Sequence, residues 1–231
     1  MKNVTLFLLA LLCLPLSIFA QQSEQLEDKV KAACSTLDFS KITTGILYES
    51  VPTYTDFSKM NGHLVHDSLS NIKPRFLLSY GVLDKGHVGT STMKPTAQLW
   101  NELDELQKSD TVFLALLAYR YNRFKEDAAT SGLISYSNDH LYDNSTGNQT
   151  AYLTDTTFIF SAIKNESKNK TVKFYFPDSL MFSNVGINTA NLQIDFGGGA
   201  GYQSLSFNHL YTINYTVSPQ PTPSCKISIV Y

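Results

Sequence analysis

The sequence predicts a mainly β chain of α+β class: a mixed N-terminal region with one clear helix, followed by an immunoglobulin-like antiparallel β-sandwich. Three observations carry that expectation. Beyond position 150, runs of aromatic or β-branched residues recur every ten to fifteen positions with turn formers between them, the spacing of short strands in a sandwich. One stretch, PTAQLWNELDELQKSD (95–110), places Leu99, Leu103 and Leu106 on one helical face behind Pro95 and Thr96 as start signals. Charge is sparse and balanced, with 18 basic against 20 acidic side chains in 231 residues and a net charge of −2. That balance supplies no field to hold nucleic acid or an anionic membrane surface. With 43% hydrophobic residues, a polar disordered chain is excluded.

Taken in order, Lys2 precedes an apolar run at 6–16 that closes on Ser17-Ile18-Phe19-Ala20 ahead of Gln21-Gln22. This is the pattern of a secretory signal peptide over 1–20. The run is too short for a transmembrane span, and Cys13 follows Leu12 rather than a small residue, which argues against a lipoprotein anchor. The expected location is therefore secreted, extracellular or on the outer cell surface. Removing the signal leaves 211 residues, enough for one large domain or two small ones. The division expected is 21–137 as the mixed region, 138–150 as a loop or linker, and 151–231 as the sandwich.

Residues 21–36 carry Leu26, Val30 and Ala33 at helical spacing and predict a short amphipathic helix or a loose leader. From 37 to 61, β-branched and aromatic residues broken by Gly45 and Pro52 predict short extended pieces. After the helix at 95–110, TVFLALLAYRYNRF (111–124) is long enough for a buried strand or a helix, and its tail, alternating aromatic and polar residues, favours the strand. NDHLYDNSTGNQT (138–150) is a cluster of turn formers. Then TFIFSAI (157–163) and TVKFYFP (171–177), separated by KNESKNK, predict a hairpin. Further strands are expected at NLQIDF (191–196), LSFNHLYTINYTV (205–217) and KISIVY (226–231), the last preceded by the proline-rich SPQPTPSC.

No motif strong enough to name a reaction is present, and no catalytic, cofactor or metal residue is assigned. His63 and His66 stand three apart but lack the Glu and third ligand of a zinc hydrolase. Asp139, His140 and Asp143 supply a carboxylate and an imidazole for acid or base work, and the same residues serve turn geometry. Asp139, Asp143 and Asn144 are oxygen donors for calcium, yet the spacing misses the EF-hand loop. The run 197–201, GGGAG, follows an apolar segment without the Lys-Ser or Lys-Thr of a phosphate loop, and predicts a turn joining antiparallel strands.

Trp100 falls among the leucines of the helix and is expected in the core. Tyr119, Tyr121, Tyr152 and Tyr202 are the candidate exposed aromatics for a ligand surface. Once Cys13 leaves with the signal, Cys34 and Cys225 remain, either joined as a disulfide, which an oxidising compartment permits, or as two unpaired thiols. Glycosylation sequons occur at Asn3, Asn144, Asn148, Asn165, Asn169 and Asn214.

FSKITTGILY (39–48) with Pro52 downstream, and VKFYFP (172–177) running into Phe182-Ser183-Asn184 and Ile194-Asp195-Phe196-Gly197, resemble the N-terminal region of large secreted proteins of Bacteroidetes. Many of those look like cargo of the type IX secretion route. The resemblance spans most of the mature chain; its motifs are structural, and it implies location without naming an activity. In such proteins the Asp-Phe-Gly stretch commonly reads Asp-Phe-Gly-Asp-Gly, as in PKD-like immunoglobulin-type modules, and Gly198 stands here in place of the second Asp. Relatives run on past the strand matching 226–231, which implies either a truncated product or a free-standing version whose last strand completes the sandwich. The resemblance also implies bacterial O-glycosylation at Asp-Ser/Thr pairs followed by an aliphatic residue or Thr, namely at Ser68, Thr111, Thr156 and Ser179.

The function expected from all this is a non-catalytic surface module that binds a polysaccharide or a protein. The alternatives are a secreted hydrolase built on Asp139, His140 and Asp143, or an N-terminal fragment of a larger exported protein.

Overall fold

The strand at 111–124 is apolar on both sides of its pleat, and the fold is organised by covering both. In the computed structural model, which describes residues 25–52, 57, 73–164, 169–187, 192–216 and the backbone of 226–229, this strand is β1 (Thr111–Phe124). Before it come helix α1 over 25–34, 3-10 turns at Phe39–Lys41 and Tyr48–Ser50, α2 (Lys73–Lys85) and α3 (Thr96–Gln107). After it come β2 (Ile134–Ser137), β3 (His140–Asp143), β4 (Tyr152–Ala162), β5 (Thr171–Tyr175), β6 (Met181–Ser183), β7 (Leu192–Asp195), β8 (Gln203–Ser204), β9 (Leu210–Asn214) and β10 (Lys226–Ile229). The class is α+β.

β1 lies at the centre of a sheet ordered β4-β1-β5-β9, with β6 also paired to β1. β4 runs antiparallel to β1 from Leu114↔Ala162 to Phe124↔Tyr152. On the other side β5 and β6 run parallel to β1, first at Thr111↔Lys173 and then at Leu116↔Met181. Between those two contacts the chain lifts off as a 3-10 turn, Asp178–Leu180, which sends Leu180 into the core.

Alternation along β1 decides what covers it. Ala115, Leu117, Tyr119 and Tyr121 pack beneath α2 and α3, against Phe76, Tyr80, Leu83, Leu99 and Leu103. Val112, Leu114 and Leu116 face the other way, into a cluster with Phe174, Phe176, Leu192, Ile194 and Phe196, where a small sheet ordered β10-β7-β8 forms the third layer. A third cluster, including Cys34, Leu37, Leu47, Ile134 and Tyr152, closes the far end of β1 under the β2-β3 hairpin.

Most predicted elements appear. α1, α3, β1, β4, β5, β7, β9 and β10 fall where the residue pattern places them, and the glycine run joins β7 to β8, which pair antiparallel. Four features differ. The parallel pairings and the helical layer depart from the all-antiparallel, two-sheet arrangement of an immunoglobulin-like sandwich. β4 and β5 do not form a hairpin, because β1 is inserted between them. Part of 138–150 is itself a hairpin: β2 and β3 pair from Ile134↔Asp143 to Ser137↔His140. Asn138 and Asp139 turn it with φ of 50° and 62°, the left-handed pair of a type I′ turn. Finally α2 gives no amphipathic signal in a chain read from its ends. It buries Phe76, Leu77, Ser79, Tyr80, Val82 and Leu83, while its outward stripe carries Pro74, Leu78 and Gly81 beside Lys85, so no polar face stands against the apolar one.

Candidate functional site

α2 and α3 pack over β1, and α1 lies alongside, so a groove opens between the helices. Val51, Pro52, Leu77, Leu78, Val82 and Trp100 line most of it, and it encloses about 460 Å³, the size of a pocket that takes a side-chain cluster or small ligand. Gly81 forms part of its wall; a Cβ there would meet only Thr96, at 3.6 Å, so the missing side chain adds to the opening. Leu78 is 42% and Trp100 44% exposed, two large apolar side chains at one opening where single exposed hydrophobics are the norm.

Trp100 is not in the core. α3 turns Leu99 and Leu103 inward at 0% exposure, and the neighbouring position at 100 falls on the helix flank. There the ring is held by Lys73, whose Nζ lies 4.8 Å from the ring centre in a cation–π contact. Lys73 is buried and also donates to Asp104, which holds the Asp104 carboxyl below its ordinary range. Across the groove, Lys85 of α2 donates to Glu27 of α1, and Lys31 joins from one turn further at 3.0 Å. Burial pushes the Glu27 carboxyl up, and the hydrogen bonds from Lys85 and Lys31 outweigh it and hold it low. The charged groups at the rim are thus paired with one another, and the interior is hydrocarbon and indole apart from the buried Thr96 hydroxyl, which meets no hydrogen-bond partner among the described residues.

The sequence candidates scatter. Tyr119 (8%), Tyr121 (1%) and Tyr152 (4%) are buried: the first two pack into the cluster beneath the helices and Tyr152 into the cluster under the β2-β3 hairpin, so these rings pack instead of presenting themselves. Tyr202 is exposed at 42%, beyond the glycine run. Asp139 Oδ1 accepts from the Tyr136 hydroxyl at 2.9 Å, and His140 Nδ1 lies 2.7 Å from the Asn138 carbonyl. Asp143 turns inward, where Oδ1 accepts from Lys41 Nζ at 3.2 Å and the Ser145 N–H at 2.8 Å. Burial pushes the Asp143 carboxyl up, and the bonds from Ser145 and Lys41 outweigh it. Asn144 donates to the Gly132 carbonyl and to Ser135 Oγ. Each side chain of the proposed acid-base or calcium set is engaged with a different neighbour.

Among the described residues no group of three His, Cys, Asp or Glu side chains stands close enough to hold a metal, and no helix is long and apolar enough to cross a membrane. His63, His66 and Ser68 lie outside the described residues, as does the segment 1–20. Thr111 and Thr156 are half-buried in strands, and Ser179 is exposed on the 3-10 turn. Cys34 is buried, its Sγ 3.9 Å from the Glu49 carbonyl; Cys225 lies outside the described residues.

Comparison with protein-family models, with curated proteins and with solved structures finds no match. The groove was missed in the sequence because its walls come from four segments. The one signal pointing to it was the single tryptophan next to, and not at, the 99/103/106 positions.

Proposed function

We propose that this chain is an exported, non-catalytic binding module that engages a protein partner through the groove between α1, α2 and α3. The observation that carries the proposal is the pairing of exposed Trp100 and Leu78 over an apolar cavity of about 460 Å³. A sugar platform needs hydrogen-bonding groups around the aromatic face. Here the nearby charges are bound to each other, so the groove suits an apolar side chain of a protein better than a polysaccharide. Export is supported by the signal pattern of residues 1–20 and by the resemblance to surface-exported proteins. The two-layer packing of β5 and β9 against β7 and β8 is the part of the fold that comes nearest to the immunoglobulin-like module expected for 151–231.

The chain has one tryptophan, so its emission reports on the groove directly. Titration of the mature chain with an amphipathic helical peptide is expected to shift Trp100 emission to the blue, and a soluble glucan oligosaccharide is expected to leave it unchanged. Leu78→Asp is expected to abolish the peptide response at unchanged folding. Gly81→Ala is expected to weaken the response while raising stability by about 1 kcal/mol, since alanine is the better helix former and the methyl meets only ordinary contacts. A blue shift with the oligosaccharide alone would reassign the groove to carbohydrate, and no shift with either probe would remove it as the binding site.

A further inference from the structure

The central sheet ends in two very different edges. β4, at one end, is closed along its second half, where Thr157, Ile159 and Ser161 have 0% exposure. β9, at the other, is open, with Leu210 at 47% exposure and Thr212 and Asn214 exposed, and no other described strand pairs with it.

The phase of the ladder tells which backbone groups face outward. Tyr215 N–H donates to the Lys170 carbonyl at 2.8 Å, and the register continues as Asn214↔Thr171, Ile213↔Val172, Thr212↔Lys173, Tyr211↔Phe174 and Leu210↔Tyr175. Antiparallel pairs alternate between bonded and non-bonded. Tyr211 and Ile213 therefore spend their main-chain groups on β5, and Leu210, Thr212 and Asn214 turn theirs away from the sheet. Three outward residues spaced two apart are symmetric about the middle one.

We propose that β9 pairs antiparallel with β9 of a second copy of this chain, about a two-fold axis at Thr212, extending the sheet across both molecules. In that register every outward residue meets an outward residue: Leu210 with the other copy's Asn214, and Thr212 with its own counterpart. All six outward donors and acceptors of each strand then find partners, which is the main-chain recognition of strand addition. Side chains agree with it. Tyr211 falls opposite Ile213 on the side of the apolar cluster that includes Phe174 and Phe196, an aromatic and β-branched pair, and Thr212 opposite Thr212, both favourable across strands. The segment 210–214 carries no charge and no proline, two of the devices that ordinarily guard an edge. Lys173, the nearest cation in register, would stand from its counterpart about 14 Å away, three strand spacings, beyond a screening length of about 8 Å. A foreign strand would satisfy the same backbone groups, but this edge needs no partner sequence other than its own.

The test is sedimentation of the mature chain, made in a host that attaches no N-glycans because Asn214 is a sequon. Five residues of edge give a small interface, so the dimer fraction is expected to rise over about 1 µM to 1 mM. Thr212→Lys, which sets two cations face to face, and Thr212→Pro, which removes an N–H that bonds nothing among the described residues, are expected to leave a monomer with unchanged circular dichroism. Thr212→Val is expected to keep the dimer. Should the proline variant unfold, the lysine variant decides. A monomer throughout the range, a Thr212→Lys protein that dimerises like the parent, or open-ended growth beyond the dimer would overturn the proposal.

Discussion

Asn122 shows how single residues hold the N-terminal segment to the sheet. It is buried on β1 at 3% exposure, and its Oδ1 accepts from the Thr44 N–H at 3.0 Å while its Nδ2 donates to the Leu153 carbonyl at 3.3 Å. Its own N–H donates to the Ile46 carbonyl at 2.8 Å. Asn122→Leu is expected to cost about 2–3 kcal/mol in chemical denaturation, since it strands the Thr44 N–H. Cys34 is a second case. Burial, with a further push from the Glu49 charge, raises its thiol to about 11. In a Cys225→Ser chain, Cys34 is therefore expected to react with a thiol reagent at pH 8 roughly a hundred-fold more slowly folded than unfolded. If the parent chain, unfolded without reductant, offers no thiol at all, Cys34 and Cys225 are joined. Glu49 and Asp143 titrate in opposite senses. Burial raises Glu49, whose Oε1 accepts from the Phe124 N–H at 3.0 Å, so its contribution to stability is full below the unfolded carboxylate value and is lost as pH rises through the folded one. Asp143 is held low, so its contribution is present at neutral pH and lost on acidification. Glu49→Gln keeps the bond from Phe124 and removes the first effect. Its melting temperature is expected to exceed the parent's at pH 7 and to lose that advantage as pH falls toward 4; equal profiles would exclude Glu49 as the source.

Among the elements, α2 ends on a glycine that fits tightly against backbone. Gly86 closes the helix by donating to the Val82 carbonyl at 2.9 Å, and it accepts from the Leu47 N–H at 2.9 Å. A Cβ there would lie 3.0 Å from the Val82 carbonyl oxygen and 3.3 Å from that of Leu47. Backbone stands on both sides, so Gly86→Ala is expected to lower stability by roughly 1–3 kcal/mol; a neutral result would mean that the 44–47 segment shifts freely. α3 was legible because Leu99, Leu103 and Leu106 sit at helical spacing on a one-sided helix. α2 was not, since its outward stripe carries Pro74, Leu78 and Gly81, as apolar as much of the buried face, which erases the contrast. The β2-β3 hairpin was hidden for a different reason: Asn138-Asp139 reads as a loop in a run of turn formers, and only its position between two four-residue strands makes it a type I′ turn. The groove was the least legible feature, because no local pattern records that Pro52, Leu78 and Trp100 meet.

At the scale of the whole molecule, the sequence period foretold β1, β4, β5, β7, β9 and β10 but not β2, β3 and β6, and not which strand neighbours which. Pairing depends on what β1 lacks. A fourteen-residue strand apolar on both pleat faces needs a strand on each side and a layer on each face, and the chain supplies these from both ends: α2 and α3 from before it, β4, β5 and β6 from after. The turn cluster at 138–150 therefore joins two parts that share one sheet. The eleven-position β1-β4 pairing buries Ala115, Leu117, Ile159 and Ile163 in one cluster with both helices, and no cut at 138–150 leaves either part with a complete core. A protease site inserted between Thr146 and Gln149, which are exposed, is expected to yield two pieces that co-elute at the parent's size after cleavage, and that separate only when denaturant melts β1 away from β4. The piece from 151 onward, made alone, is expected to show no cooperative transition, since its strands β4 and β5 would flank an empty place where β1 belongs. A cooperative melt from that piece would mean that the C-terminal strands carry a core of their own, and that β1 is an addition to it and not its centre.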